Sequence, residues 1–406
     1  MAIPAQPTTA PQDSVEFRKF VGLRNTVERE RLGPDELEIA VNIDLDDVGE
    51  IHRRQGSQLV ASGNWANIFS SLEGYIYGVR NGNLVRVYPN FSTKIIQAGF
   101  DPLVPIAFEQ FAAGTIYWSC RTQNGVISTS SDTNSPWLGP ALGPQYIPDL
   151  LDPNAPQVPA LPAGTWWLSP IVNPLPTLAP IKGRILGPPP FASFLSYFNG
   201  RIYMGIGRTV WYTELYLYNY VNKTKNFFNF EADITMIGTV TDGIYVGTTE
   251  GLYFLSPAPK IEGHPAGAMK KTRVMDTGVV PGSMVYIPGE LGNPPQVGPD
   301  QDTPMKVSIM FMTNKGYCVA QDGGITTNFS EDKFNFPAAA SASAMYRAQQ
   351  GYHQYVAVLN SQGSPVTNAR IGDHVDVTLR KAGTWQEACD QVTFGENLSA
   401  TYISHH

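Results

Sequence analysis

From residue 72 onward the chain repeats one short arrangement of apolar and polar positions. It consists of an apolar or turn lead-in, an aromatic segment of the type Gly-x-Ile-Tyr-x-Gly, a polar turn, and a second short apolar segment. Copies run LEGYIYGVRNGNLVRVYP at 72–89, FAAGTIYWSCRTQNGVIST at 111–129, YFNGRIYMGIGRTVWYTE at 197–214 and TDGIYVGTTEGLYFLS at 241–256. Weaker copies are FMTNKGYCVAQDGGITTNF at 311–329 and YHQYVAVL at 352–359. Short alternating runs rich in β-branched and aromatic residues predict strands. Asn81-Gly82, Asn124-Gly125 and Asp322-Gly323 tolerate positive φ, as tight hairpin turns require. Ile76, Ile116, Ile202 and Ile244 each precede a tyrosine, so Ile and Tyr are expected on opposite faces of a strand, one of them packing between neighbouring sheets.

Copies start near 72, 111, 197, 241, 311 and 352, and three of the intervals are about 39, 44 and 41 residues. That is close to the roughly 40–50 residues of a four-stranded propeller blade. The two longer intervals hold Pro-rich segments: 136–190 with 15 prolines in 55 residues, and 257–304 with 9 in 48. Such density argues against a central strand or helix and predicts extended loops leaving the fold. The expectation is an all-β chain, a β-propeller of about five or six blades with two long Pro-rich loop insertions. A two-sheet sandwich with irregular hairpins is the alternative. Helix is nearly absent on this reading, AAASASAMYRAQQ at 338–350 being the best short candidate. The chain divides into a flexible arm at 1–14, a docking segment and first strand at 15–60, the propeller at 61–365, and C-terminal strands closing the fold at 366–406. Within 15–56, 7 Lys/Arg mix with 10 Asp/Glu, followed by alternation at Val41, Ile43 and Leu45 and a turn at Asp47-Val48-Gly49. A solvated, salt-bridged face and a docking surface both fit that charge density.

Composition agrees with strands and turns. Only 16% of the 406 residues are charged, against roughly 25% in an ordinary soluble protein, while Gly 38, Pro 33, Tyr 19 and Phe 19 are abundant. A net charge of −7 argues against a nucleic-acid grip. Cys120, Cys318 and Cys389 lie far apart, forming neither a disulfide framework nor a metal half-site. No run of 18 apolar residues predicts a membrane span, and MAIPAQPTTAPQDS does not read as a signal peptide.

Catalytic signals are weak. None of the six histidines forms a pair at metal spacing except the terminal His405-His406, and neither GxSxG nor a P-loop occurs. Gly205-Ile206-Gly207 lies inside a hairpin and reads as a turn. Asp44, Asp46, Asp47 and Glu50 invite a calcium loop, but Val48 stands where an oxygen ligand is needed, so a strand end and turn is the better reading. Asp242 and Asp322 precede Gly in turns, where Asp is expected for backbone reasons; a pair of carboxylates sharing a cleft would open glycoside hydrolysis. Four Asn-x-Ser/Thr sites, at Asn90, Asn222, Asn328 and Asn397, follow from composition. The aromatic runs WYTELYLYNY at 211–220 and NFFNF at 226–230, with Trp166-Trp167, exceed what a local core needs and read as protein–protein contact.

The N-terminal stretch resembles the opening of tail nozzle or head-completion (packaged-DNA stabilisation) β-propeller proteins of short-tailed bacteriophages. The matching residues are Phe20, Gly22 and Leu23 with Asn25, then Ala40, Asn42, Ile43 and Asp44, the turn at Gly49, and Arg53, Arg54 and Gly56, with Gln55 in place of the commoner Pro. The match covers some 40 residues, and the repeated hairpins extend it loosely to about residue 360. The resemblance implies a non-enzymatic virion component, without cofactor or metal. It would form a homohexameric ring below the portal and its adaptor, carry fibres or spikes, and let double-stranded DNA pass without sequence-specific binding. Assembly contacts are expected at Phe20, Gly22, Arg24, Asn42, Asp44, Arg53, Arg54, Trp137, Trp166 and Trp167. The alternative is a propeller that binds or cleaves host-surface carbohydrate. A generic scaffold fits the composition equally well.

Overall fold

The computed structural model describes residues 22–23, 27–33, 36–37, 43–45, 51–53, 61–101, 104–138, 166–168, 184–223, 225–257, 269–288, 307–329, 339–349 and 352–361. Near the N-terminus, β1 (Gly22–Leu23) pairs in parallel with β2 (Glu36–Leu37), and β3 (Ile43–Leu45) pairs antiparallel with β4 (Ile51–Arg53). The expected strand around Ile43 is thus present, as half of a hairpin.

Five four-stranded antiparallel sheets follow. Blade 1 contains β5 (Trp65–Ser70), β6 (Ile76–Arg80), β7 (Asn83–Val87) and β8 (Thr93–Ala98). Blade 2 contains β9 (Ala107–Ala112), β10 (Thr115–Ser119), β11 (Asn124–Ser128) and β12 (Thr133–Pro136). A small side sheet comes next, made of β13 (Trp166–Leu168), β14 (Arg184–Gly187) and, later in the chain, β18. Blade 3 contains β15 (Phe194–Phe198), β16 (Arg201–Ile206) and β17 (Thr209–Tyr212); β18 (Val221–Asn222) then leaves for the side sheet before β19 (Phe227–Asn229) completes the blade. Blade 4 is β20 (Ile234–Val240), β21 (Gly243–Thr248), β22 (Leu252–Pro257) and β23 (Met269–Met275). Blade 5 is β24 (Val285–Pro288), β25 (Val307–Thr313), β26 (Gly316–Gln321) and β27 (Ile325–Asn328). A two-stranded ribbon, β28 (Ala339–Gln349) and β29 (Tyr352–Ser361), packs on blade 5. First strands lie beside first strands, β9 against β15 and β15 against β20, and β24 meets β28 in the same way. The protein is therefore a β-propeller, five complete blades and a two-stranded sixth unit among the described residues.

The four strong repeats are the hairpins of second and third strands in blades 1 to 4, and period-two alternation explains why they are so apolar. The weaker copy at 311–329 runs from the end of β25 through β26 and β27, and 352–359 lies within β29. Ile116 and Trp118 of β10 enter the core shared with blade 1, while Tyr117 between them faces the core shared with blade 3. In β21, Ile244 and Val246 point to blade 3, and Tyr245 to blade 5. Ile and Tyr do lie on opposite faces, and a neighbouring blade covers both. Each side chain buried this way contributes about 1.5–3 kcal/mol.

The turns correct the sequence reading at one position. Asn81 and Gly82 both take positive φ, 50° and 76°, and form the expected tight turn. Asn124-Gly125 instead opens strand β11; the turn lies one step earlier, where the Cys120 N–H donates to the Gln123 carbonyl. Glycine is required at 125 for space: a Cβ there would sit 2.7 Å from Trp118 Nε1.

Two further expectations are revised. The helix candidate 338–350 is strand β28, because Ala342, Ala344 and Tyr346, at period two, pack on blade 5 and override the helix propensity of alanine. Segment 257–304 is not wholly an excursion, since it supplies β23 and β24. Residues 269–275 contain no proline, and β23 is an outer strand of its sheet, where only one edge needs ladder partners. Segment 136–190 likewise contains β13 and all of β14. The arm 1–14 and the stretch 366–406 lie outside the described residues.

Candidate functional site

A first strand pairs with the rest of its blade along one edge and turns the other toward the propeller axis. Backbone N–H groups on that inner edge need acceptors. Neighbouring blades supply them. Glu109 on β9 accepts the backbone N–H of Tyr197 on β15. Tyr286 on β24 accepts the Thr239 N–H on β20 at 3.2 Å. The Tyr286 hydroxyl also lies 3.2 Å from Ser196 Oγ and 3.5 Å from Thr239 Oγ1. Four consecutive blades thereby contribute to one polar cluster. In blade 1 the buried Asn67, at φ 54°, donates its amide to the Val104 carbonyl and accepts the Ile106 N–H.

Tyr286, on the first strand of blade 5, keeps 41% of its surface open. Glu109, on the first strand of blade 2, is half-buried. First strands line the central channel of a propeller, which places both residues at its wall. Burial pushes the Glu109 carboxyl up to about 7, against the opposing pull of the Tyr197 N–H. Burial also raises the Tyr286 phenol, and the charge of Glu109 adds to that; its bonds to Ser196 and Thr239 act the other way. Glu109 can therefore exchange a proton near neutral pH. Sequence reasoning passed over this cluster. Its only trace was a carboxylate inside the apolar run at 107–112, since Tyr286 falls within a Pro-rich segment.

The second feature is on one face of the propeller. In a four-stranded meander the turn between strands one and two and the turn between strands three and four share a face. That face carries Leu72 and Phe91 from blade 1, Leu215, Tyr216 and Leu217 from blade 3, and Ile325 from blade 5, all exposed. Tyr216 is 68% exposed and sits at φ 57°, with its N–H bonded to the Gly200 carbonyl at 2.8 Å. Phe91 is likewise held at φ 61°. A left-handed backbone is unfavourable for bulky side chains, so these tips are presented at a conformational cost. The rest of the run 211–220 is structural: Thr213, Glu214 and Tyr220 are buried, and the Tyr218 ring meets those of Phe111, Tyr117 and Tyr197 in tilted or edge-on contacts.

The residues expected at assembly contacts divide. Phe20, Arg24, Asn42 and Arg54 lie outside the described residues. Gly22 pairs with Glu36, Asp44 with His52, and Arg53 with Ile43, so three of these positions sit in small paired strands. Trp166 and Trp167 are in β13, opposite Leu186 and Ile185. Trp137 is a correction. It is 0% exposed in the core between blades 2 and 3, and its indole N–H donates to the Tyr218 carbonyl at 3.0 Å, so it offers no surface.

Asp242 and Asp322 do meet, but as a backbone clasp. Asp322 accepts the Thr241 N–H at 3.0 Å and Asp242 accepts the Gly323 N–H at 2.8 Å. Each carboxylate caps the other's turn. Among the described residues no group of three or more His, Cys, Asp or Glu could hold a metal ion, and no helix is long and apolar enough to cross a membrane.

No family model matches the chain, and no curated protein matches it. Solved structures do. The BBS1N chain in its complex with ARL6DN matches with a TM-score of 0.39 at 8% identity, covering 76% of this chain and 80% of that one. The Pan2 WD40 domain of Neurospora crassa matches with a TM-score of 0.34 at 10% identity, over 69% and 68% of the two chains. Virginiamycin B lyase from Staphylococcus aureus matches with a TM-score of 0.33 at 8% identity, over 71% and 76%. The chain spans 34% of a fourth match, the extracellular domain of a one-component system protein from B. thetaiotaomicron, with a TM-score of 0.37 at 11% identity.

Proposed function

We propose that this protein is a structural, non-enzymatic propeller whose work is to assemble with copies of itself into a ring. Following the N-terminal resemblance, that ring is the tail nozzle of a short-tailed phage, placed below the portal and its adaptor, holding fibres or spikes and extending the channel through which double-stranded DNA leaves. The observation that carries the reading is the apolar face with Tyr216 and Phe91 at left-handed φ. Large apolar tips held out at conformational cost suit a contact surface. A closed ring needs a second, different surface on each subunit. Leu138, Phe191 and Phe329, exposed at connections of the opposite face, are available for it.

The test is mass by light scattering with electron microscopy of the purified protein, for the parent and for a triple variant Leu215→Ser, Tyr216→Ser, Leu217→Ser. Closed rings in the parent, of about six subunits as the resemblance implies, and monomers of unchanged melting temperature in the variant are the expected result. Rings of equal mass in both would overturn the role of this face. The carbohydrate reading draws on the axial cluster, yet hydrolysis needs two carboxyls about the bond to be cut. Glu109 stands at the axis, whereas Asp242 and Asp322 are engaged with backbone.

A further inference from the structure

The axial cluster has more to do than hold strand edges. Three hydroxyl oxygens from blades 3, 4 and 5 meet there, with the Glu109 carboxyl from blade 2 near them. The hydroxyls of Tyr286, Ser196 and Thr239 lie within 3.2–3.5 Å of one another. Glu109 is tied to the next residue along β15 by the Tyr197 N–H, and its charge is felt by Tyr286. Ser196 and Tyr197 are adjacent on β15, so the bond from the Tyr197 N–H holds the Glu109 carboxyl beside the strand that carries the Ser196 hydroxyl. None of the ion pairs among the described residues includes Glu109. The charge of Glu109 raises the Tyr286 phenol.

We propose that the axial channel at Glu109, Tyr286, Ser196 and Thr239 is a binding site for a small organic ammonium ion. An ammonium head has three donors, and the site offers a carboxylate with hydroxyl oxygens beside it. Tyr286, 41% exposed, adds an aromatic ring, a group to which a cation is attracted. A half-buried carboxyl without a cation gains from a ligand that supplies one, because the attraction is less screened there than at an open surface. The proton held by part of the Glu109 population leaves to solvent as the cation enters. A neutral alcohol of the same size offers no such compensation. This site is independent of the assembly face, so the two readings stand or fall separately.

The experiment is a carbon-13 NMR titration of the full chain labelled at glutamate, the Glu109 signal being assigned with Glu109→Gln. The probe is ethylammonium, with ethanol as its neutral counterpart. Saturating ethylammonium is expected to lower the Glu109 midpoint by about one in pH, a tenfold change in proton affinity, while ethanol leaves it in place. Ethylammonium binding, followed by line broadening of the ligand, is expected to weaken at least tenfold in Glu109→Gln and several-fold in Tyr286→Phe. An unmoved midpoint, an equal effect of ethanol, or undiminished binding by Glu109→Gln would each overturn the proposal. Since both variants are near-isosteric, a folded sample of either one suffices for the comparison.

Discussion

The seam between blades 1 and 2 and the seam between blades 4 and 5 join sheets of the same plan by different chemistry. In the first, a charged network overlies the apolar core. Arg86, with its side chain 6% exposed, pairs with Asp132, donates to the Thr129 carbonyl at 2.8 Å, and stacks its guanidinium 3.5 Å over the Tyr75 ring. Asp132 also accepts from Tyr88 and Lys94. Beside it, Glu73 takes hydrogen bonds from Gln110, the Gly114 N–H and Thr129. The second seam places Met236, Tyr245, Phe254, Ile309 and Phe311 in an apolar cluster and closes it at the rim with the Asp242–Asp322 clasp and the Tyr245 hydroxyl, which donates to the Gln321 and Ile325 carbonyls. One seam depends on keeping ions matched and the other on filling volume. A repeated strand pattern therefore does not imply a repeated source of stability.

Four perturbations separate the two. Phe311→Ala, at a fully buried position of the second seam, is expected to cost about 3–5 kcal/mol, read by denaturant unfolding. That loss should be insensitive to salt. Arg86→Met removes one member of a buried pair and is expected to cost about 3 kcal/mol, the low end for such a loss because Tyr88 and Lys94 still hold Asp132. The first seam should also weaken in acid. Burial works to raise the Glu73 carboxyl, but the bonds from Gln110, Gly114 and Thr129 outweigh it and hold it below its ordinary value. A lowered carboxyl gives stability that is present above its unfolded value of about 4.5 and is lost as pH falls through the folded one. Accordingly, hydrogen exchange at the Gly114 amide should lose protection over that window, and Glu73→Gln should flatten the change. The smallest effect is expected at the clasp. Asp242→Ala and Asp322→Ala should each cost about 1 kcal/mol, since each removes one hydrogen bond to an exposed turn. Losses of 3 kcal/mol or more there would mean that the rim, and not the apolar cluster, holds the second seam.

The middle of each blade was legible in the sequence and its margins were not. Second and third strands face a neighbouring blade on both sides, so their apolar patterning is strong and local, as in β21, all of whose residues are buried. Outer strands such as β23, with the sequence MKKTRVM and largely exposed, carry almost no apolar signal and were absorbed into a Pro-rich segment. The axial cluster was hidden for a different reason. Glu109 reads as an ordinary surface carboxylate until the fold brings it to Tyr197 and Tyr286, 88 and 177 residues later. Asn124-Gly125 misled because a turn dipeptide can be selected for its missing Cβ alone, here by the indole of Trp118. The apolar tips were visible within the aromatic run 211–220, but Tyr218 of that run packs against the core while Leu215, Tyr216 and Leu217 do not. Local composition cannot divide a run whose members alternate between inside and outside.

The clasp between Asp242 and Asp322 also has a mechanical meaning. Each carboxylate grips the backbone of the other's turn, so any twist of blade 4 against blade 5 stretches both bonds at once. The pair acts as an angular stop, fixing the pitch of one blade on the next at the rim, where lever arms are longest. A torque that reaches the propeller through its loops would be borne there before the apolar seam beneath begins to shear.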